Sequence, residues 1–109
     1  MIGGLAGQAK YLNIKPDRAK LMMSDLDKNS YEVIDVRTAN EFAAGHIKGA
    51  RNYNLYDVDF RKKIARLDPA KTYFLICRSG NRSTSACKNM AKSGFKNLYN
   101  ISGGMTAWK

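Results

Sequence analysis

Short runs of β-branched and aromatic residues alternate along this chain with segments of helical character. That alternation limits the fold more than any other feature. The clearest runs are Tyr31-Glu32-Val33-Ile34-Asp35-Val36 and Thr72-Tyr73-Phe74-Leu75-Ile76, both mostly apolar, as in strands buried on both faces. Weaker strand signals fall at 11–14, 50–55 and 98–101. The first helix-like segment, 16–26, opens on Pro16 and Asp17, which suit a first turn and the positive end of the dipole. In the next, Thr38 and Glu41 have capping-box spacing and Gly45 is the stop. A basic segment at 58–67 closes on Asp68-Pro69. The segment 82–93 places Ala86, Cys87, Met90 and Ala91 on one stripe and ends at Gly94. Gly103-Gly104 turns the chain into a last helical turn at 105–108. The pattern predicts an α/β fold with three α/β/α layers: a five-stranded, mostly parallel sheet with helices on both faces. In such sheets, sites lie at the carboxyl ends of the strands.

This organisation occupies residues 10–109, one domain; residues 1–9 are small and without period and read as a tail. Hydrophobic residues at 44% and charged residues at 26% exclude a disordered chain. No apolar run approaches the roughly 20 residues of a membrane helix. No secretory signal is visible, so a cytoplasmic location is expected, with an anchor upstream in a longer protein left open. The net charge is +10, from 19 basic and 9 acidic residues. The basic residues are scattered, and the one tight cluster, Arg61, Lys62, Lys63 and Arg66, reads as the solvated face of a helix. No nucleic-acid partner is therefore expected, although a positive field draws in small anions. Cys77 and Cys87 are too few for a disulfide framework, and with His46 as the sole histidine no zinc site, metal or cofactor is expected.

The 72–76 strand runs straight into Cys77-Arg78-Ser79-Gly80-Asn81-Arg82-Ser83 and then a helix. Gly80 can take positive φ, Asn81 tolerates it, and Ser79 can cap. Such a loop turns successive N–H groups inward, and the helix adds unpaired donors and its dipole. The Cys77 thiol should titrate low for these reasons, with Arg78 and Arg82 nearby. A nucleophile beside an anion cradle suggests attack on an anionic substrate.

Three stretches carry a resemblance to the single-domain rhodaneses. They are Val33-Ile34-Asp35-Val36-Arg37 with Glu41-Phe42, Gly45-His46-Ile47 and Gly49-Ala50-Arg51-Asn52; the loop at 77–83; and Gly103-Gly104 with Ala107-Trp108. Asn54 stands where that family often has proline, a change at the level of a turn. The resemblance implies sulfane-sulfur transfer from thiosulfate or a similar donor to cyanide or a thiol, through a persulfide on Cys77. It implies that the N–H groups from Arg78 to Ser83 hold the persulfide charge. Arg78 is the candidate for the donor's oxyanion, while Arg82 and Ser83 shape the loop and its electrostatics. Related phosphatases have five residues between cysteine and arginine; here there are four, a tighter cradle suited to sulfur. A persulfide carrier serving a sulfur-relay partner protein is the alternative, and phosphatase or arsenate-reductase chemistry the weaker one.

Asp35 and Arg37, at the end of the second strand, either bracket the site or form a buried supporting pair; the residues favour the pair. Glu41 is read as part of the cap. His46 is expected to pin the turn before Ala50 rather than act as a base, since a thiolate needs none. Cys87, Met90, Phe74, Leu75 and Trp108 are assigned to the core.

Overall fold

A computed structural model describes residues 10–109; the expected tail at 1–9 lies outside the described residues. The strands are β1 (Leu12–Ile14), β2 (Tyr31–Asp35), β3 (Arg51–Asn52), β4 (Thr72–Ile76) and β5 (Asn97–Ile101). They form one sheet in the order β1-β5-β4-β2-β3, and every pairing among the described residues is parallel. The helices are α1 (Pro16–Asp25), α2 (Ala39–Ala44), α3 (Phe60–Ile64), α4 (Asn81–Lys92) and α5 (Gly104–Ala107).

Strand alternation divides the core in two. Ile34, Val36, Tyr73 and Leu75 pack with Phe60 and Ile64 of α3 and Ala86, Cys87 and Met90 of α4. Val33, Phe74, Ile76 and Ile101 pack on the other face with Ala19 and Met22 of α1 and with Met105. This is the three-layer arrangement the alternation predicts. Asp35 pairs in register with Ile76, so β2 and β4 end side by side and deliver Arg37 and Cys77 to one edge of the sheet.

Two elements are much shorter than their sequence signals. The strand expected at 50–55 is only Arg51–Asn52. Beyond it, Asn52 Nδ2 bonds the carbonyls of Asp35 and Arg37, while the N–H groups of Tyr53 and Leu55 bond Asp35 and Val36; the segment is tied down without a regular ladder. The helix expected at 58–67 is only Phe60–Ile64, because Asp59 makes no capping bond and only Phe60 and Ile64 are buried to anchor it. Val58 is fully exposed. Trp108 is half-buried and packs at the margin of the second core, with Lys20 Nζ 4.7 Å from its ring centroid.

Candidate active site

β4 is buried throughout its last four residues and carries Cys77 with it, leaving the residue 1% exposed. The chain then turns through Arg78 and Ser79 to Gly80, whose φ of +112° is a conformation L side chains rarely adopt. Helix α4 begins at Asn81, one residue earlier than expected. Asn81 does not share the positive φ, and Ser79 does not cap. Gly80 occupies the cap position with no side-chain bond. Its carbonyl instead accepts from the Thr84 N–H (3.1 Å), the Thr84 hydroxyl (2.7 Å) and the Ser83 hydroxyl (3.1 Å).

The turn aims its donors at sulfur. Gly80 N–H donates to Cys77 Sγ at 3.1 Å, and Ser83 Oγ lies 3.3 Å from the same atom. The Ser83 hydroxyl stands between Sγ and the Gly80 carbonyl, so it is a rotatable donor that can turn to the sulfur when the thiol ionises. Burial alone would push the Cys77 thiol up. The Ser83 hydroxyl, with the N–H groups of Ser83, Gly80 and Ser79, outweighs burial and holds it below its ordinary value. The direction is the one the sequence implies, and these donors are its leading cause.

The back of the loop is clamped by α5. Met105 N–H bonds the Cys77 carbonyl at 2.8 Å, and the Thr106 N–H and hydroxyl both bond the Arg78 carbonyl at 3.0 Å. With those carbonyls held outward, the intervening N–H groups face inward, the condition for an anion-holding concavity. The approach requires Gly104: a Cβ there would lie 2.3 Å from the Cys77 carbonyl oxygen and 2.6 Å from the Arg78 carbonyl.

Asp35 and Arg37 form the buried pair. Arg37 Nε and Nη2 reach both Asp35 oxygens at 2.8–3.1 Å, and Nη2 also donates to the Gly45 carbonyl at 2.7 Å. Both residues are nearly covered, and their charges are mutually committed. Together they brace the β2–α2 turn, with Asp35 fully buried and Arg37 also reaching the wall of the hollow beside Arg78.

Glu41 does more than cap. It completes the capping box with Thr38, and its two oxygens also accept from Arg82 Nη1 (2.7 Å) and Nη2 (2.9 Å). That fork joins the start of α2 to the start of α4. The Arg82 guanidinium is the main reason the Glu41 carboxyl sits at about 2. Arg82 is therefore anchored by Glu41, and of the two loop arginines Arg78 is the exposed one. Arg78, Arg37, Glu41, Ala44, Met105 and Thr106 line a shallow hollow of about 360 Å³. The sequence contained no signal for the Glu41–Arg82 fork beyond the unused acceptor capacity of a capping carboxylate. For the α5 clamp the signal was the double glycine, read only as a turn.

His46 corrects its expected role. It is exposed, its Nδ1 is 2.8 Å from the Phe42 carbonyl, and its ring stacks on Phe42 at 3.7 Å. It thus closes the end of α2, while the turn before Ala50 is closed by the Ala50 N–H on the Ile47 carbonyl. Cys87 lies one helical turn beyond Ser83, fully buried, and burial pushes its thiol up to about 12. Asn54 substitutes for a rigid turn residue by accepting the Tyr56 N–H on Oδ1 at 3.0 Å.

The family model for the rhodanese-like domain matches residues 16–109. The chain belongs to this family. The rhodanese-like domain is 33% identical over 100 residues to the thiosulfate sulfurtransferase GlpE of Pseudomonas aeruginosa, covering 91% of this chain and 84% of that one. It is 42% identical over 77 residues to YqhL of Bacillus subtilis, covering 71% of this chain; the match spans 60% of that protein's length. Among solved structures, a rhodanese-related protein from Thermoplasma volcanium superposes with a TM-score of 0.76 at 28% identity, covering 90% of each chain. No helix among the described residues is long and apolar enough to cross a membrane.

Proposed function

We propose that this rhodanese-like domain is a sulfurtransferase that takes a sulfane sulfur from thiosulfate or a similar small anion and passes it to cyanide or a thiol through a Cys77 persulfide. The observation that carries the reading is the Cys77 thiol held low by Ser83 and by inward N–H groups. This is a nucleophile already inside an anion cradle. The relatives named thiosulfate sulfurtransferase support the donor class.

In the first displacement, the Cys77 thiolate attacks the outer sulfur of thiosulfate. A sulfur–sulfur bond forms to Cys77 as the one within thiosulfate breaks, and sulfite leaves with the electron pair. In the second, cyanide attacks the outer persulfide sulfur, thiocyanate leaves, and the Cys77 thiolate returns. No proton must be removed from the nucleophile, so His46 has no part. The Gly80, Ser79 and Ser83 N–H groups, already directed at the sulfur, would hold the charge of the terminal persulfide sulfur. Exposed Arg78, beside the hollow, is the side chain available to the sulfite oxygens of the incoming donor. Four residues between Cys77 and Arg82 make the cradle tight and favour sulfur over a phosphoryl group.

The test is thiocyanate formation from thiosulfate and cyanide by the parent, Cys77→Ser and Cys87→Ser. Loss confined to Cys77→Ser is expected. An inactive parent would remove thiosulfate as donor. Mass spectrometry of Cys77 after incubation with a cysteine desulfurase and cysteine would then decide for or against the carrier role.

A further inference from the structure

A second hollow is at the opposite end of the sheet from Cys77. It has a volume of about 570 Å³ and opens beside the amino ends of β2, β3 and β4. A five-residue strand separates it from Cys77, roughly 17 Å at the usual rise. It is therefore not part of the sulfur-transfer site. Its size is that of a small-molecule pocket rather than of a bare inorganic anion.

Its lining is divided by chemistry. Four cations surround it: Lys28, Lys48, Arg51 and Lys71. They come from four separate segments: the 3-10 turn Lys28–Ser30, the loop before β3, β3 itself and the loop before β4. A single carboxylate, Glu32, stands among them. Arg51 Nε is 3.0 Å from Glu32 Oε1 and Lys71 Nζ is 3.2 Å from Oε2. Lys28 and Lys48 have no carboxylate partner among the described residues, and both are exposed. The rest of the lining combines Asn29 and Gly49 with one apolar side made by Met23, Val33 and Ile47, with the Tyr31 ring, edge-on to Phe74, beside them. Charge surplus at a rim, over an apolar and aromatic wall, fits a ligand with two unlike halves. A solvated patch of lysines needs neither the concavity nor the wall.

We propose that this hollow binds a small organic molecule carrying two or more negative charges on phosphate, of the nucleoside diphosphate class. The phosphates sit on Lys28 and Lys48 with support from Lys71, and the flat apolar part lies against Tyr31, Ile47 and Met23. Glu32 moderates the site, because it occupies two of the four cations.

The experiment is backbone-amide NMR titration of the intact chain at low salt with three probes: ADP, pyrophosphate and adenosine. ADP should perturb residues around 28, 31, 47–51 and 71, more tightly than pyrophosphate and far more tightly than adenosine. Lys28→Gln with Lys48→Gln should weaken ADP about tenfold, the worth of two ion pairs in a half-open site. Glu32→Gln should tighten it, since it frees Arg51 and Lys71; a merely structural carboxylate would not do this. The thiocyanate rate should be unchanged in the lysine variants. Equal affinities for ADP and pyrophosphate would overturn the organic half of the proposal. Perturbation confined to residues 77–83, or none at all, would overturn the site.

Discussion

Replacing Gly104 with alanine tests the link between α5 and the cysteine loop. Gly104 has φ +54°, where an L residue costs about 1 kcal/mol. The added Cβ would meet the Cys77 carbonyl oxygen at 2.3 Å and the Arg78 carbonyl at 2.6 Å. Those atoms are backbone, so no side-chain rotation relieves the contact, and α5 must move away. The Met105 and Thr106 N–H bonds to the loop go with it, at about 1 kcal/mol each. The total is about 3 kcal/mol, a large share of the roughly 5–15 kcal/mol that stabilises a domain of this size. Thermal unfolding followed by circular dichroism should show the midpoint lowered by roughly 10–20 °C. Gly94→Ala is the matched control: its φ is +97° but nothing lies within 4 Å of its Cβ, so only the conformational cost remains. Iodoacetamide alkylation of Cys77 in the folded variant should also shift to higher pH, since the loop N–H groups lose their outward anchors. A Gly104→Ala protein that melts with Gly94→Ala and keeps the parent alkylation profile would refute the clamp.

Ser83→Ala removes the rotatable donor beside Sγ and should slow Cys77 alkylation at neutral pH about tenfold, with the pH profile displaced upward. Glu41 titrates at about 2 in the fold against an ordinary 4.5, so its contribution to stability is complete above about pH 4.5 and is lost as pH falls through about 2. The melting difference between the parent and Glu41→Gln should therefore be largest at neutral pH, about 1–2 kcal/mol for a partly exposed fork, and narrow with acid. Asp35→Asn leaves the Arg37 guanidinium buried without its counter-charge and should cost about 3–5 kcal/mol in urea unfolding. A cost below about 1 kcal/mol would mean that the pair is not needed to brace the β2–α2 turn.

What the sequence discloses is what short range decides. The 72–76 run, the turn at Gly80 and the helix that follows lie within about twenty consecutive residues, and each is specified by its own neighbours. Capping by Thr38 and Glu41 was legible for the same reason. The strand at 50–55 failed because the sheet ends there: β3 meets β2 at two positions, and Asn52 then diverts the chain with side-chain bonds. Apolar spacing at 58–67 could not reveal that only Phe60 and Ile64 find a surface to cover. The Glu41–Arg82 fork joins residues forty-one apart, and nothing local marks such a partner. Gly104 was visible as a flexible residue, but its purpose is the carbonyl it approaches, which only the folded chain brings near.

The α5 clamp also bears on the order in which the molecule becomes reactive. During synthesis, residues 77–83 emerge well before Met105 and Thr106, the residues that hold the loop's carbonyls outward. β5, which lies between β4 and β1, is made in the interval. A nascent chain exposing the loop alone therefore has a cysteine with the right neighbours in sequence but without the anchored donors, and its thiol keeps ordinary reactivity. Stalled or truncated chains ending before residue 105 would share that chemical quiet. The environment of the Cys77 thiol is thus completed by backbone more than twenty residues downstream of the loop, so reactivity at Cys77 reports on the docking of α5.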